Sequence, residues 1–69
     1  MLGERLRKER DRVGMTQIEV ARHIGVSSTA YYYFEKNLKT PSLEKAKALA
    51  ELFQVSLDYL VGNDDKPAN

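Results

Sequence analysis

The sequence contains no cysteine and only one histidine. The missing thiols exclude a disulfide framework and a thiolate metal site, and a lone histidine without cysteine forms no metal-binding cluster. No apolar run approaches the ~20 residues needed to span a bilayer, and the charged N-terminus lacks the pattern of a signal peptide. We therefore expect a soluble, cytoplasmic protein with no bound metal and no membrane partner.

Residue combinations that carry catalysis are also missing. The chain has no glycine-rich phosphate loop, no nucleophile paired with a base and no carboxylate dyad. The sequence therefore predicts neither an enzyme nor a bound cofactor.

Charge is nearly balanced but unevenly distributed. The formal net charge is +1, yet residues 1–40 carry eight basic and five acidic side chains, while residues 41–69 carry three basic and five acidic ones. A net charge this small is typical of an ordinary mixed surface. The asymmetry places the positive charge on the N-terminal part of the chain.

Apolar spacing and capping residues predict an all-α chain. With 69 residues, the chain forms at most one domain and buries only about 60% of its unfolded surface. No segment has the period of a strand. Five helices are predicted over about 2–13, from the Thr16 cap to Gly25, over 27–36, after the Ser42 cap, and between Ser56 and Gly62. We expect a compact five-helix domain over residues 1–62 and a polar, flexible tail over residues 63–69.

The same spacing predicts which side chains form the core. Those expected to be buried are Leu2, Leu6 and Val13 in the first helix, Val20, Ala21 and Ile24 in the second, Leu43, Ala46, Leu49, Ala50 and Phe53 in the fourth, and Leu57, Leu60 and Val61 near the C-terminal end. The many charges of the first helix are expected to form a solvated face.

Residues 16–37 form the most informative stretch. Thr16 followed by Glu19 fits a capping box, in which each side chain bonds the backbone N–H of the other residue. Gly25 follows the last apolar residue, where a left-handed backbone ends a helix, and Ser27 is a good N-cap for the next one. A short helix, a tight glycine-containing turn and a second helix make the unit that places side chains in the DNA major groove.

The aromatic run over residues 31–34 divides between two faces of the second helix of this unit. Helical geometry puts positions 27, 31 and 34 on one side and positions 28, 29, 32, 33 and 36 on the other. Tyr31 and Phe34 are therefore core candidates, while Tyr32 and Tyr33 face outward. Two adjacent outward tyrosines need a reason. Contact with thymine methyl groups or phosphates is one, and stacking on single-stranded bases, which usually comes with a sheet platform, is another.

A longer set of residues occurs in one frame from about Leu2 to Gly62. The set consists of Gly3-Glu4-Arg5-Leu6-Arg7, Arg10, Gly14-Met15-Thr16-Gln17, Val20-Ala21, Ile24-Gly25-Val26-Ser27, Phe34-Glu35-Lys36, Pro41-Ser42 and Val55-Ser56-Leu57-Asp58-Tyr59-Leu60. With these residues, nearly the whole chain resembles the Cro/C1-type (XRE) helix-turn-helix family of phage and bacterial regulators. The resemblance implies a lambda-repressor-like domain whose partner is a double-stranded DNA operator.

The resemblance also implies roles for individual residues. Gln17 matches the family glutamine that contacts a DNA phosphate and braces the recognition helix. Arg10 and Glu35 match a pair that bridges the first and third helices. The third helix is then the recognition helix. The other implied contacts are to bases from Ser28, Thr29 and Tyr33, with Tyr32 beside them, and to the DNA backbone from Lys36, Asn37 and Lys39.

Some positions depart from the family pattern. Family members usually have an aliphatic residue where this chain has Tyr31, and often Gly where it has Asn37. Long polar or basic side chains are common at position 28, where this chain has Ser28. Because Ser28 and Thr29 are short, we expect the neighbouring tyrosines to carry more of the contact.

We expect a sequence-specific transcriptional regulator, acting as a repressor, that reads the major groove with the helix over residues 27–36. A homodimer on a palindromic operator is expected, because a single small module gives limited affinity and specific sites usually have two half-sites about one turn apart. The dimer surface is expected where the apolar side chains exceed what a small core needs, at Phe53, Val55, Leu57, Tyr59 and Leu60.

The alternative belongs to another class of protein. The domain would then be a protein-interaction module, such as an antitoxin or an antirepressor partner, with weak or vestigial DNA binding. The short side chains at positions 28 and 29 and the low net charge favour this alternative.

Overall fold

Five α-helices make up most of the computed structural model, which describes residues 2–63. They are α1 (Leu2–Val13), α2 (Gln17–Ile24), α3 (Ser28–Glu35), α4 (Leu43–Phe53) and α5 (Leu57–Leu60). Residues 2–63 contain no strand, and the predicted all-α, five-helix architecture is confirmed. None of the described helices is long and apolar enough to cross a membrane. Apart from Asn63, the tail predicted over residues 63–69 lies outside the described residues.

Side-chain caps fix where α2 to α5 begin. The Thr16 hydroxyl accepts a hydrogen bond from the Glu19 N–H at 3.1 Å, and the Glu19 carboxylate accepts one from the Thr16 N–H at 2.8 Å. This confirms the predicted capping box. Ser27, Ser42 and Ser56 cap the next three helices by accepting the N–H three residues further on, at 3.0–3.2 Å. Each cap contributes about 1 kcal/mol, so these starts are specified locally.

The turn between α2 and α3 depends on one glycine. Gly25 has φ 79° and ψ 34°, the left-handed conformation that residues with a Cβ rarely adopt. Lys45 on α4 donates a hydrogen bond to the Ile24 carbonyl oxygen at 2.9 Å. The free carbonyl end of α2 therefore has a cationic partner, which also suits the helix dipole.

The core lies where α1, α2 and α3 meet α4 and α5. Its completely buried side chains include Leu6, Val20, Tyr31, Leu49, Phe53 and Leu60. Tyr31 and Phe34 both point inward, with ring centroids 6.2 Å apart in an edge-to-face arrangement, which confirms the predicted phase of α3. Full burial of a large apolar side chain contributes about 1.5–3 kcal/mol. The face with these two rings therefore anchors α3 in the domain.

Three predicted core residues are exposed instead. Val13, Leu43 and Val61 have 38%, 67% and 45% of their surface accessible. Val13 ends α1, Leu43 opens α4 and Val61 follows α5. Helical spacing assigns them to an apolar face, but such a face is buried only where a neighbouring element covers it. The prediction is wrong at these helix ends for that reason.

The charges of α1 do not all form a solvated face, and that prediction is wrong for Glu9, which is 2% exposed. Its carboxylate accepts hydrogen bonds from the Tyr59 hydroxyl at 3.1 Å and from Arg12 Nε at 2.5 Å. Arg12 also donates to the Phe53 carbonyl oxygen, and Arg5 donates to the Tyr59 carbonyl oxygen, both at 2.6 Å. A buried carboxylate is tolerated when partners satisfy it. Here those partners join α1 to α4 and α5.

The apolar side chains predicted to form a dimer surface belong mostly to the core. Phe53, Tyr59 and Leu60 are at most 3% exposed, while Val55 and Leu57 are partly buried and pack against the core. The prediction is wrong for the first three, because a domain of this size needs them to bury enough apolar surface.

Candidate nucleic-acid interface

The exposed side of α3 brings together the four residues predicted to contact bases. Ser28, Thr29, Tyr32 and Tyr33 are all exposed, whereas Tyr31 between them is completely buried. The rings of Tyr32 and Tyr33 lie 5.9 Å apart at an interplanar angle of 53°. Together with the preceding α2 and its glycine turn, this arrangement defines a helix-turn-helix domain.

One polar network ties α3 to α1 and α2. The Arg10 guanidinium donates two hydrogen bonds to the Glu35 carboxylate, at 2.6 and 3.1 Å, and a third to the Met15 carbonyl oxygen at 3.1 Å. The Gln17 amide donates to the same carboxylate at 3.0 Å. The Arg10 and Glu35 side chains are only 14% and 4% exposed. The network therefore fixes α3 against both preceding helices from inside the domain.

Opposing effects set the pKa of Glu35. Burial raises the pKa of its carboxyl group, but the interactions with Arg10 first, and then with the nearby Tyr31 hydroxyl and with Gln17, outweigh burial, and the pKa lies below the ordinary value of 4.5. The hydrogen bond to Glu35 in turn raises the pKa of Arg10. The pair is therefore ionised in neutral solution.

The Tyr31 hydroxyl is buried near this ion pair. It makes no hydrogen bond of standard geometry within residues 2–63. Burial, followed by the neighbouring Glu35 carboxylate, raises the pKa of Tyr31 well above its ordinary value. The hydroxyl is thus neutral, and the rest of this large side chain fills the core.

The lysines predicted to contact phosphates lie just past the C-terminal end of α3. Lys36 and Lys39 are both exposed, and the Lys36 ammonium group lies 5.6 Å from the centre of the Tyr32 ring. Gln17, at the opposite end of the motif, is partly buried. Its amide has two N–H groups and gives one to Glu35, so one remains for a partner outside the domain.

Asn37 is engaged within the domain. It has a φ of 60°, and its side-chain oxygen accepts a hydrogen bond from the Gly3 N–H at 3.0 Å, while its side-chain nitrogen donates to Glu4 at 3.3 Å. A Cβ at Gly3 would collide with the Glu35 carbonyl oxygen. The first turn of α1 therefore packs tightly against the end of α3, and Asn37 joins the two.

Ile18, in the first turn of α2, is a residue of this surface that the sequence did not single out. Its side chain is 57% exposed. It lines an open groove together with Gln17, Ser28, Thr29, Tyr32 and Tyr33. The available signal was its position around the axis of α2, about half a turn from the buried Val20 and about a third of a turn from the buried Ile24.

Comparison with known sequences places the chain in a family. The sequence profile of the helix-turn-helix family matches residues 6–60. The chain is 37% identical over 67 residues to the uncharacterized HTH-type transcriptional regulator YobD of Bacillus subtilis (strain 168), with 97% of this chain and 60% of YobD covered. It spans about half the length of two further curated relatives.

Solved structures have the same fold. The P22 c2 repressor protein, in a crystal structure with the synthetic operator 9T, gives a TM-score of 0.87 at 33% identity and covers 93% of this chain and 97% of that chain. The SinR protein/SinI protein complex gives a TM-score of 0.81 at 29% identity, with 88% and 60% covered. The chain belongs to the helix-turn-helix family of the Cro/C1 (XRE) type. The lambda-repressor-like fold implied by the sequence is confirmed.

Proposed function

We propose that this domain binds double-stranded DNA sequence-specifically as a transcriptional regulator and acts as a repressor. In this proposal α3 enters the major groove and α2 lies across the DNA backbone. The proposal rests on the difference in exposure between the two faces of α3. The outward face exposes Ser28, Thr29, Tyr32 and Tyr33 together, whereas Tyr31 is buried on the opposite face and anchors the helix.

The proposed phosphate contacts flank these base-reading positions. Lys36 and Lys39 supply positive charge at one end of α3, and Gln17 supplies its remaining amide N–H at the other. Asn37 contributes through the second N–H of its amide, because the first is donated to Glu4. Contacts of this kind position a protein on the duplex without reading its sequence.

Two copies are proposed to bind together on one operator. A single small module buries little DNA surface and gives limited affinity, and two half-sites about one helical turn apart compensate for this. The operator is accordingly expected to be a palindrome.

Selection of duplexes from a random DNA pool tests the proposal. A preferred sequence should emerge, and its affinity should fall steeply with salt, by a log–log slope of about −0.9 for each phosphate contact. Lys36→Gln should reduce that slope by about 1. Lys47→Gln is the matched control, because Lys47 is an exposed lysine on α4, away from α3. Selection that yields no preferred sequence, or affinity that stays flat with salt, would contradict the proposal.

A protein-interaction module remains the second candidate function. Leu38 and Leu43 are 70% and 67% exposed, and DNA reading by α3 does not use them. The structurally similar SinR is described in a complex with SinI. A domain that binds duplexes without preference at every salt concentration would favour this candidate.

A further inference from the structure

The groove between α2 and α3 has an uncharged lining. Its six residues are Gln17, Ile18, Ser28, Thr29, Tyr32 and Tyr33. Ile18 stands out among them because it is an aliphatic side chain left 57% exposed beside polar groups. It lies away from the buried face of α2, so it adds nothing to the core. Together with the exposed rings of Tyr32 and Tyr33 in the same groove, it forms an apolar patch of the kind that contacts a partner.

The Ile18 side chain cannot form hydrogen bonds, so its partner on a DNA duplex has to be an apolar group. Among residues 2–63 the lining has no Lys or Arg to neutralise a phosphate, and the phosphate contact proposed for it uses the remaining N–H of Gln17 rather than Ile18. Guanine is usually read by paired donors from Arg or Lys, and adenine by the free amide of Asn or Gln. The lining has no Arg, Lys or Asn, and the Gln17 amide gives one N–H to Glu35 and has the other assigned to a phosphate. The apolar base edge in the major groove is the C5-methyl group of thymine.

We propose that Ile18, together with the methyl group of Thr29 and the ring of Tyr33, forms a binding site for the C5-methyl group of a pyrimidine. In unmodified DNA this pyrimidine is thymine. The inference rests on the proposed DNA binding and adds a specificity-determining residue from α2, the helix otherwise assigned to the backbone. Ile18 is the member of this site whose side chain offers only apolar atoms.

Removing the methyl group from the DNA tests the inference directly. The duplex obtained by selection is synthesised with deoxyuridine in place of thymidine, one position at a time. Affinity should fall about four-fold at the contacted position, the effect of about 0.8 kcal/mol for one buried methyl group. At that position a 5-methylcytosine duplex should also bind more tightly than its cytosine counterpart, because both comparisons change only the methyl group.

Variants of the protein then locate the contact. Ile18→Ala should weaken binding to the thymine duplex and leave binding to the uracil duplex nearly unchanged, so that the preference for thymine disappears. Because Ile18 is exposed, the variant should fold normally, and its thermal melting checks this. Leu43→Ala is the matched control: Leu43 is an exposed aliphatic residue on α4, outside the groove, and its loss should leave the thymine preference intact.

The outcomes separate this inference from the proposed function. If the domain selects a sequence but binds thymine and uracil duplexes equally, the inference is overturned and DNA binding stands. If Ile18→Ala weakens both duplexes by the same factor, Ile18 contacts sugar or phosphate, and the inference is again overturned. If no duplex is preferred at all, both proposals fail.

Discussion

The two faces of α3 carry similar side chains with opposite surroundings. Tyr31 and Phe34 are at most 5% exposed, whereas Tyr32 and Tyr33 are 41% and 39% exposed. The inward face is also fixed by Glu35, whose carboxylate is bonded to α1 and α2. Within residues 2–63, the outward face makes no comparable hydrogen-bonded contact. The angular position of each tyrosine around the axis of α3 therefore decides whether its ring stabilises the domain or is available to a partner.

Removal of an inward ring should have the largest effect on stability. Phe34→Ala leaves a cavity in the core, and we expect it to lower the free energy of unfolding by about 3–5 kcal/mol, measured by urea denaturation. Tyr32→Ala, on the outward face, is the control and should change it by no more than about 0.5 kcal/mol. Equal losses for the two variants would show that the faces do not differ as described.

Breaking the ion pair of the inward face should have the next largest effect. Glu35→Ala removes the buried anionic partner of Arg10, whose side chain is only 14% exposed, and leaves, among the described residues, only the exposed carboxylate of Asp11 at 3.6 Å. We expect a loss of about 3 kcal/mol in the free energy of unfolding, measured by thermal and urea denaturation. Glu44→Ala removes an exposed carboxylate from α4 and should have little effect. An unchanged melting temperature in the Glu35 variant would argue against the network.

On the outward face, the effect should appear in binding. Tyr33→Ala should leave stability within about 0.5 kcal/mol of the wild type, yet weaken binding to the selected duplex by about 1–3 kcal/mol, the value of one good base contact. Titration with labelled duplex measures the second quantity. If Tyr33→Ala unfolds the domain while Tyr31→Ala does not, the assignment of the two faces is reversed.

A fall in pH should produce the smallest of these effects, a loss of stability caused by protonation of Glu35 on the inward face of α3. The pKa of Glu35 is lowered in the folded domain from its ordinary value of 4.5. Its contribution to stability is therefore complete above that ordinary value and is lost as the pH falls through the folded pKa. We expect wild-type stability to decline in this acidic range, and Glu35→Gln to lose less over the same interval. Glu44→Gln should follow the wild type in urea denaturation at each pH.

Local features of the fold were predictable because their causes are local. The capping box of Thr16 and Glu19 joins residues three positions apart, and the phase of α3 follows from helical rotation. The contacts of Glu9 were not predictable in this way. Its partner Tyr59 is 50 residues away in the chain, and helical spacing carries no information on which distant side chain will meet it.

The residues of the candidate site show the same difference: those placed by their own helix were predictable, and those placed by packing between helices were not. Sequence reasoning placed Tyr32 and Tyr33 on the surface because their own helix determines that position. It passed over Ile18, because the groove that Ile18 lines exists only once α2 and α3 have packed together. For Asn37 the resemblance implied a DNA backbone contact, but the hydrogen bonds of its amide to Gly3 and Glu4 follow from the packing of α1 against the end of α3 and were not predictable.

Because of the tight contact at Gly3, we expect DNA recognition to depend on a residue of α1 as well as on the exposed residues of α3. No side chain fits between this residue and the Glu35 carbonyl oxygen at the end of α3, so Gly3→Ala would have to push α1 and α3 apart. A random mutagenesis screen for lost DNA binding is therefore expected to return Gly3 along with the exposed positions of α3. In a genetic map of the domain, the recognition function would extend to a buried glycine, which has no side chain with which to contact the duplex.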